Sequence, residues 1–361
     1  MKYNTSTIPE DMIERAFKGH IDQEDALELV SSNPHELLTL ADKLRYETIG
    51  DDVTYIVNRN INFTDRCIGT CKFCAFKEKS SYLFTPSQIM DRVVDAVNLG
   101  ATEVCIQGGL LNNIDLGFYL DILDLIRPKY PDLHIHAFSP MEVYHAANLS
   151  GISVKEALST LKKHGLDTMP GTAAEILSER VRELVCPDKI TTDEWIDVVT
   201  TAHKLDIPTT STMMYGHIET LEERIEHMFT IRSIQDKTGK FTEFVPLPFM
   251  PYNNPLGAQM LNSGQYMVSG TSDLKMHALA RIIFHNRLNN IQASWVKLGK
   301  KMAQFALQCG ANDLGGTLME EKISKSAGSK HGEFISTDEF EWMIHDAGRN
   351  PVKRNTVYER I

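Results

Sequence analysis

The sequence is short of several features that would place it in a common class of protein. It contains no run of about eighteen apolar residues, so a membrane-spanning helix is not expected. The first residues, MKYNTSTIPEDMIERAF, include no hydrophobic signal region, and a cytoplasmic location is therefore the expectation. The net charge is −11 and no basic tract occurs, which argues against nucleic acid as a partner and favours small molecules. Six cysteines in 361 residues are too few for a disulfide framework.

Half of those cysteines stand together in the stretch CIGTCKFC. Cys67, Cys71 and Cys74 are separated by three and then by two residues, and thiolates at this spacing can converge on one inorganic centre. Three cysteines fill all but one corner of a four-iron cluster, which leaves one iron free to bind a substrate or a cofactor. The spacing therefore predicts a [4Fe–4S] cluster with an open coordination position.

A structural zinc site is the alternative interpretation of these cysteines. Such a site needs a fourth ligand, and no histidine or other cysteine lies between His35 and Cys105. The local carboxylates, Asp65 and Glu78, are poor partners for a thiolate site. The cluster is therefore the preferred hypothesis. The scattered remaining cysteines are expected to be buried thiols.

Short β-rich runs alternate with helix-length segments along residues 51–321. The strand candidates are Tyr55–Phe63, Thr102–Gln107, Leu133–Phe138, Leu166–Met169, Thr209–Met214, Glu243–Leu247, Ile291–Trp295 and Leu314–Leu318. Sequences typical of capping boxes predict helix starts at Thr85, Ser153, Thr191 and Thr220. Eight alternating units predict an α/β fold, a parallel (β/α)8 barrel of the TIM type. Residues 1–50 are interpreted as an amino-terminal helical cap and residues 322–361 as an extension packed on the barrel.

In barrels of this type the active site lies at the carboxyl ends of the strands. The loops that follow the second and third predicted strands contain polar residues that could bind a ligand. Gln107, Gly108 and Gly109 follow the second strand, where paired glycines let a ligand approach the backbone closely. Ser139 follows His136 at the end of the third strand, and this group could bind a ribose or an amino acid.

The fourth and fifth predicted strands lead to charged candidates. Glu175 lies beyond the fourth strand, and Arg180 or Arg182 could form a bidentate fork with the carboxylate of a zwitterionic ligand whose ammonium meets the glutamate. The fifth strand contains four consecutive hydroxyl residues, Thr209–Thr212, which could line a polar interior. Three catalytic candidates follow it, with a histidine suited to general acid or base chemistry: Tyr215, His217 and Glu219.

Two further strand ends complete the predicted site. The sixth strand, with the sequence FVPLPFMP, predicts a rigid apolar wall that ends near Phe249. Asn312 and Asp313, which precede a glycine pair, suit a polyhydroxylated ligand such as a ribityl chain.

The cysteine spacing, with Phe73 directly before the last cysteine, resembles the signature of the radical S-adenosylmethionine (SAM) enzymes. This resemblance implies that the open iron binds SAM, which is cleaved to methionine and a 5′-deoxyadenosyl radical. It further implies that Phe73 lies against the adenine, that the glycine pair meets the methionine amino group, and that Glu175 with a nearby arginine contacts SAM.

Longer strings narrow the resemblance to one branch of that superfamily. They are NRNINFTDRCIGTCKFCAF, SPMEVYHAA, MPGTAAEIL, TTSTMMYGHIET, FVPLPFMP and GANDLGGTLMEE. The branch includes two menaquinone-pathway enzymes, aminofutalosine synthase and dehypoxanthine futalosine cyclase, and the two halves of FO synthase. The tyrosine-dependent (CofH) half is the most similar.

That family implies transfer of the 4-hydroxybenzyl group of L-tyrosine to 5-amino-6-(D-ribitylamino)uracil, with release of 2-iminoacetate. A separate CofG-type radical SAM subunit would then close the ring, and a low-potential donor would supply electrons. The futalosine reactions remain the alternative within the same chemistry. A simple iron–sulfur electron carrier and a zinc-structured binding protein are alternatives from other classes.

Overall fold

The computed structural model describes residues 7–77 and 80–361 of the chain. The first six residues and Glu78, which was weighed above as a zinc ligand, lie outside these ranges. No helix within them is long and apolar enough to cross a membrane.

Parallel strands form the inner layer of the molecule. The strands are β1 Asp52–Ile56, β2 Asn58–Asn62, β3 Glu103–Gln107, β4 His134–Ala137, β5 Thr209–Tyr215, β6 Phe241–Pro248, β7 Asp313–Gly316 and β8 Asn350–Lys353. The parallel pairs are β2 with β3, β3 with β4, β5 with β6 and β7 with β1. Because β1 and β2 are successive segments of one strand, these pairs account for most of a closed ring.

Two very short segments complete the ring. Thr168 pairs with His136 and Met169 with Thr209, which joins β4 to β5. Residues 291–292 likewise pair with Phe244 and Asp313, which joins β6 to β7. Eight parallel positions therefore close on one another, and the predicted (β/α)8 barrel is confirmed. The fourth predicted strand is only two residues long, because Pro170 follows it and has no N–H to donate to a neighbouring strand.

Helices surround the barrel. They are α1 Glu10–Phe17, α2 Gln23–Ser31, α3 Pro34–Ile49, α4 Pro86–Asn98, α5 Leu116–Ile126, α6 Pro140–Ser150, α7 Val154–Lys163, α8 Glu179–Val185, α9 Thr192–Lys204, α10 Leu221–Thr238, α11 Pro255–Asn262, α12 Gly270–Phe284, α13 Trp295–Leu298, α14 Lys300–Ala306, α15 Lys322–Ser326 and α16 Thr337–Asp346. The four predicted capping boxes are present at the starts of α4, α7, α9 and α10, so these helix starts are confirmed. Each box satisfies backbone N–H groups that the first helical turn leaves unpaired.

The amino-terminal helices lie on the outside of the barrel. Helix α3 packs against α12, and α2 packs against both α10 and α12. Their apolar faces, which include Ala26, Leu29, Leu37 and Leu44, are fully buried in this contact. The division of the chain into domains at residues 50 and 321 stays a prediction.

The segment from residue 350 onwards closes the amino-terminal end of the barrel. β8, which the sequence did not predict, pairs in parallel with β1, where Asp52 lies opposite Asn350. Beyond it, the Arg354 side chain donates to Asp313, with Nε 2.6 Å from Oδ2. The Thr356 hydroxyl donates to Glu103 at 2.6 Å. These contacts make the tail a floor for the barrel interior.

Candidate active site

A cavity of about 470 Å³ opens at the carboxyl ends of the strands. The loop that follows β2 brings all three cysteines of the CIGTCKFC stretch to one side of this cavity. An apolar wall adjoins this loop, where Met250 packs against Ala75, and it includes Leu247, Phe249 and Met250, as the sequence of the sixth strand predicted. The polar interior of the barrel lies below.

The cysteine loop offers a partly buried set of sulfur atoms. Cys67 Sγ accepts from the backbone N–H groups of Gly69 and Leu110, each at 3.4 Å. A Cβ built on Gly69 would lie 3.4 Å from Cys67 Sγ and 3.9 Å from Cys71 Sγ, so both sulfurs flank this residue. Burial raises the pKa of the Cys71 thiol to about 12, and metal binding would release its proton.

This arrangement fits an iron–sulfur cluster better than a single metal ion. A zinc ion needs its ligands at bonding distance from one point. Within the described ranges, no three His, Cys, Asp or Glu side chains are grouped closely enough to hold one ion. A cluster spreads its cysteines over several irons, and hydrogen bonds from backbone N–H groups to its sulfurs are a usual feature. Cys67, Cys71 and Cys74 therefore fit a cluster with one open position.

A buried ion pair lies beside the cysteines. Lys189 Nζ is 2.5 Å from Glu175 Oε1 and 5.2 Å from the centre of the Phe73 ring. Burial alone would raise the pKa of Glu175, but Lys189 holds that pKa below its ordinary value. All three side chains line the cavity, so the structure brings together two of the predicted SAM contacts and adds a lysine that the sequence did not single out.

The two predicted arginines pair with other groups of the protein, and the expected carboxylate fork stays a prediction. Arg180 is half exposed and its Nη2 pairs with Glu223 at 2.6 Å. Arg182 is buried and donates to the carbonyl oxygens of Ala174 and Ile190. Neither side chain is among the described residues that line the cavity. Helix α8 directs both arginines away from the cavity. The positive charge beside Glu175 comes instead from Lys189, in the loop between α8 and α9.

The predicted serine belongs to a buried capping box at the cavity wall. Ser139 is the N-cap of α6, and its Oγ donates to Glu142 Oε2 at 2.6 Å. Glu142 Oε1 accepts from the Gly108 N–H at 2.9 Å. Burial raises the pKa of Glu142 to about 7 despite these bonds. The pair therefore places a carboxyl that can hold a proton near neutral pH against the cavity.

Gln107, Gly108 and Gly109 line the cavity after β3. A Cβ on Gly108 would lie 2.5 Å from the Phe63 ring, and one on Gly109 would lie 2.0 Å from the Arg66 carbonyl oxygen. The missing side chains therefore make room for the chain's own atoms. Ligand binding by this glycine pair stays a prediction.

The three predicted catalytic residues form a separate cluster behind β5. Tyr215 donates to Asp273 Oδ1 at 2.7 Å, and Glu219 accepts from Arg224 Nε at 2.7 Å. His217 Nδ1 lies 3.0 Å from Glu219 Oε2 without the alignment of a hydrogen bond, while Nε2 is 3.0 Å from the Met214 carbonyl oxygen. None of the three belongs to the described residues that line the cavity.

Strand alternation explains why this cluster faces away. Thr210, Thr212 and Met214 of β5 all line the cavity, so the odd-numbered Tyr215 points to the other side of the strand. The hydroxyl-rich strand does line a polar interior, through Thr210 and Thr212. A period of two, counted along the strand, could have placed Tyr215 correctly from the sequence.

A smaller compartment of about 140 Å³ lies towards the floor. It shares residues with the main cavity, and Arg354 and Thr356 of the tail line it. Burial raises the pKa of Glu243, which borders both spaces, to about 7. Asp313, a predicted polyol ligand, is instead engaged by Arg354.

Asn312, the other predicted polyol ligand, is also engaged by the protein itself. Its Oδ1 accepts from Arg281 Nη2 at 2.7 Å and from the Ile291 N–H at 2.9 Å. It is not among the described residues that line either space. A polyol contact by this residue stays a prediction.

Known proteins match this chain along nearly its whole length. The family model for the radical SAM superfamily matches residues 61–231, and that for the CofH/MqnC C-terminal region matches residues 238–361. A 5-amino-6-(D-ribitylamino)uracil--L-tyrosine 4-hydroxyphenyl transferase from Methanosarcina acetivorans is 61% identical over 99% of this chain and 95% of its own length. One from Methanococcoides burtonii is 60% identical over 98% of this chain and 99% of its own.

A solved structure shows the same fold at low sequence identity. The crystal structure of methylornithine synthase (PylB) superposes with a TM-score of 0.74 at 16% identity. The match covers 94% of this chain and 97% of the other.

Proposed function

This chain belongs to the radical SAM superfamily and, within it, to the family of 5-amino-6-(D-ribitylamino)uracil--L-tyrosine 4-hydroxyphenyl transferases, and from that premise we propose its reaction. It transfers the 4-hydroxybenzyl group of L-tyrosine to the ribitylaminouracil and releases 2-iminoacetate. The observation that carries the proposal is 61% identity over nearly the whole chain to a transferase of that name. The product is the precursor that ring closure converts to FO, from which coenzyme F-420 is made.

The cavity provides the parts that this reaction needs. The cofactors are a [4Fe–4S] cluster, which Cys67, Cys71 and Cys74 would hold, and SAM. When bound, they supply a 5′-deoxyadenosyl radical that removes a hydrogen atom from L-tyrosine. Phe73 and Glu175 are the proposed SAM contacts, since both line the cavity beside the cysteines.

The protein's own residues orient the reactants and exclude water. Leu247, Phe249 and Met250 form an apolar wall beside the cysteine loop, where a radical would otherwise meet solvent. The pKa of Glu142 near 7 lets its carboxyl hold or release a proton at the cavity wall. The polar interior below suits a substrate with many hydroxyl and amino groups.

Substrates of this enzyme are small molecules. Three further features extend the proposal: a separate CofG-type subunit that closes the ring, a low-potential electron donor, and a cytoplasmic location. They are supported by the resemblance to the tyrosine-dependent half of FO synthase, and relatives named as that transferase are matched over 95% and 99% of their own length.

The test is an anaerobic reaction with reconstituted enzyme. Dithionite, SAM, L-tyrosine and the ribitylaminouracil are added, and products are followed by mass spectrometry. The expected product carries the added mass of the hydroxybenzyl group and appears only when tyrosine is present. A Cys71→Ser variant is the control, and it should form neither adduct nor 5′-deoxyadenosine, because the cluster lacks a ligand.

Other outcomes separate the alternatives. 5′-Deoxyadenosine that forms with dehypoxanthine futalosine but not with tyrosine would replace this function by the futalosine cyclisation. No 5′-deoxyadenosine from a fully loaded cluster would overturn radical chemistry altogether.

A further inference from the structure

Three polar side chains that line the main cavity have no hydrogen-bond partner within residues 7–77 and 80–361. They are Asn62, Ser294 and Lys297. Of these, the Asn62 Oδ1 atom is fully buried, and a buried polar atom without a partner calls for a physical explanation, whereas Ser294 and Lys297 are open to the cavity. A substrate that supplies the missing partners is such an explanation.

Asn62 differs from its neighbours on the same strand. β2 has the sequence NRNIN, so Asn58, Asn60 and Asn62 share the face towards the barrel interior. The Asn58 amide donates to Glu103 and that of Asn60 to Glu321, each at 2.8 Å. Asn62 is only 7% exposed, yet its Oδ1 has no partner in the described chain. Of the three amides, that of Asn62 alone forms no side-chain hydrogen bond within the described chain.

Ser294 and Lys297 show the same property on the other side of the site. Ser294 stands at the N-cap of α13 but forms no capping hydrogen bond, although serine is a favoured cap. Lys297 lies in the same short helix and forms neither a hydrogen bond nor an ion pair with the part of the chain that the structure describes. Glu321 and Glu175 act on it only through longer-range electrostatic attraction.

The barrel brings these groups to one part of the cavity. Ser294 and Lys297 follow residues 291–292, which pair with the start of β7, and Asn62 ends β2 on the other side of β7. Between them, Gly316 of β7 contributes no side chain, and its carbonyl oxygen accepts from Trp295 Nε1 at 3.0 Å. The three groups therefore lie on neighbouring positions of the barrel wall, and the Asn58 amide fills the space beside Gly316, where a Cβ would lie 2.0 Å from Asn58 Oδ1.

We propose that Asn62, Ser294 and Lys297 form the subsite for the pyrimidinedione ring of the ribitylaminouracil. The edge of such a ring presents an N–H between two carbonyl oxygens. A side-chain amide can accept from that N–H and donate to the adjacent carbonyl, as asparagine and glutamine do with base edges. An ammonium and a hydroxyl can donate to the remaining oxygen.

The phenol ring of L-tyrosine offers no such edge. Its ammonium and carboxylate could also pair with an amide oxygen and a lysine, so the Michaelis constants of the two substrates are measured separately below. The ring subsite also adjoins the smaller compartment, which shares Asn60 and Gly316 with the main cavity. The proposal rests on the proposed function, because it assigns one substrate of that reaction to a place in the cavity.

The test compares Asn62→Leu and Lys297→Met with the wild type. The Michaelis constants for the ribitylaminouracil and for L-tyrosine are measured separately in the anaerobic assay. We expect the constant for the uracil to rise about tenfold in Asn62→Leu and on the order of ten- to a hundredfold in Lys297→Met. The constant for tyrosine should stay within about twofold, since these side chains do not touch it.

Two controls make the result specific. Asn148→Leu makes the same change on an exposed turn of α6 and should alter neither constant. Thermal unfolding provides a readout independent of activity. Asn62→Leu removes an unpartnered amide and should leave the unfolding midpoint unchanged or higher. Asn58→Leu removes the donor to Glu103 Oε1, which leaves only the Thr356 hydroxyl on that carboxylate, and should lower the midpoint.

The outcomes distinguish this proposal from the proposed function. Calorimetric titration of the ribitylaminouracil into the purified wild-type chain tests binding without turnover. Binding that weakens in both variants would support the subsite even if no adduct formed in the assay. Binding that is unchanged in both variants, or an effect confined to tyrosine or SAM, would overturn the subsite while leaving the transferase reaction in place.

Discussion

Polar side chains are paired differently at the two ends of the barrel. At the floor, Arg354, Asp313, Glu243 and Tyr358 bond to one another, with Tyr358 Oη 2.5 Å from Glu243 Oε2. At the mouth, the buried Asn62 Oδ1 has no partner in the described chain. Because an unpaired buried polar group is costly, a protein keeps one where a ligand supplies the partner. The unpartnered amide of Asn62, which lines the cavity, is therefore the stronger candidate for a ligand contact than the paired groups of the floor.

Breaking the floor should produce the largest change in stability. Arg354→Met leaves Asp313 and Glu243 buried without their cation, and removing one member of a buried ion pair costs on the order of 3–5 kcal/mol. Urea unfolding of the cluster-free protein measures this loss.

Arg360 in the same tail provides the matched control. It pairs with Asp52, but its side chain is 72% exposed. Arg360→Met should therefore cost about 1 kcal/mol or less. Equal losses in the two variants would show that the floor contributes no more than an ordinary surface contact.

A carboxyl at the mouth should make stability depend on pH. The pKa of Glu142 is raised from 4.5 to about 7 in the folded protein. Its contribution is therefore fully present below about pH 4.5 and is lost as pH rises through 7. Glu142→Gln should flatten the fall in unfolding free energy between pH 5 and 7.5, by on the order of 2 kcal/mol.

Glu156 fills the same position in the exposed capping box of α7, and its pKa is lowered instead. Glu156→Gln should leave the slope between pH 5 and 7.5 unchanged. A wild-type profile that rises over this interval, with no change in Glu142→Gln, would contradict the assigned pKa.

The smallest change in unfolding free energy is expected in the cluster behind β5. Tyr215→Phe removes the hydrogen bond to Asp273 and should cost about 1 kcal/mol of unfolding free energy. Turnover should stay within about twofold, because Tyr215 lies outside the described cavity lining. A hundredfold loss of kcat with unchanged stability would instead restore the catalytic role that the sequence suggested.

Local sequence signals predicted the architecture well. Each of the eight predicted strands corresponds to one barrel position, because alternating strands and helices leave few other topologies. The capping boxes at Thr85, Ser153, Thr191 and Thr220 marked helix starts, since they depend only on residues three apart. The cysteine spacing was also recognisable from a short stretch of neighbouring residues.

The direction of individual side chains at the strand ends was harder to predict. Arg180 and Arg182 lie on a helix whose rotation about its axis is set by packing, which no short pattern encodes. Lys189 reaches Glu175 through a loop that returns to the cavity, so their proximity is a tertiary effect. The absence of a partner for Asn62 could not be foreseen either, because its neighbour Asn60 has the same residue type and faces the same way.

The parallel pair of β1 and β8 has a consequence for the order of assembly during synthesis. Asn350 lies 298 residues beyond Asp52, and a ribosome adding 5–20 residues per second needs on the order of tens of seconds to span that distance. For most of this interval the cysteine loop has already been made, while the edge of β1 has not yet paired with β8. A nascent chain can therefore present its thiolates to iron before the opposite end of the barrel is sealed.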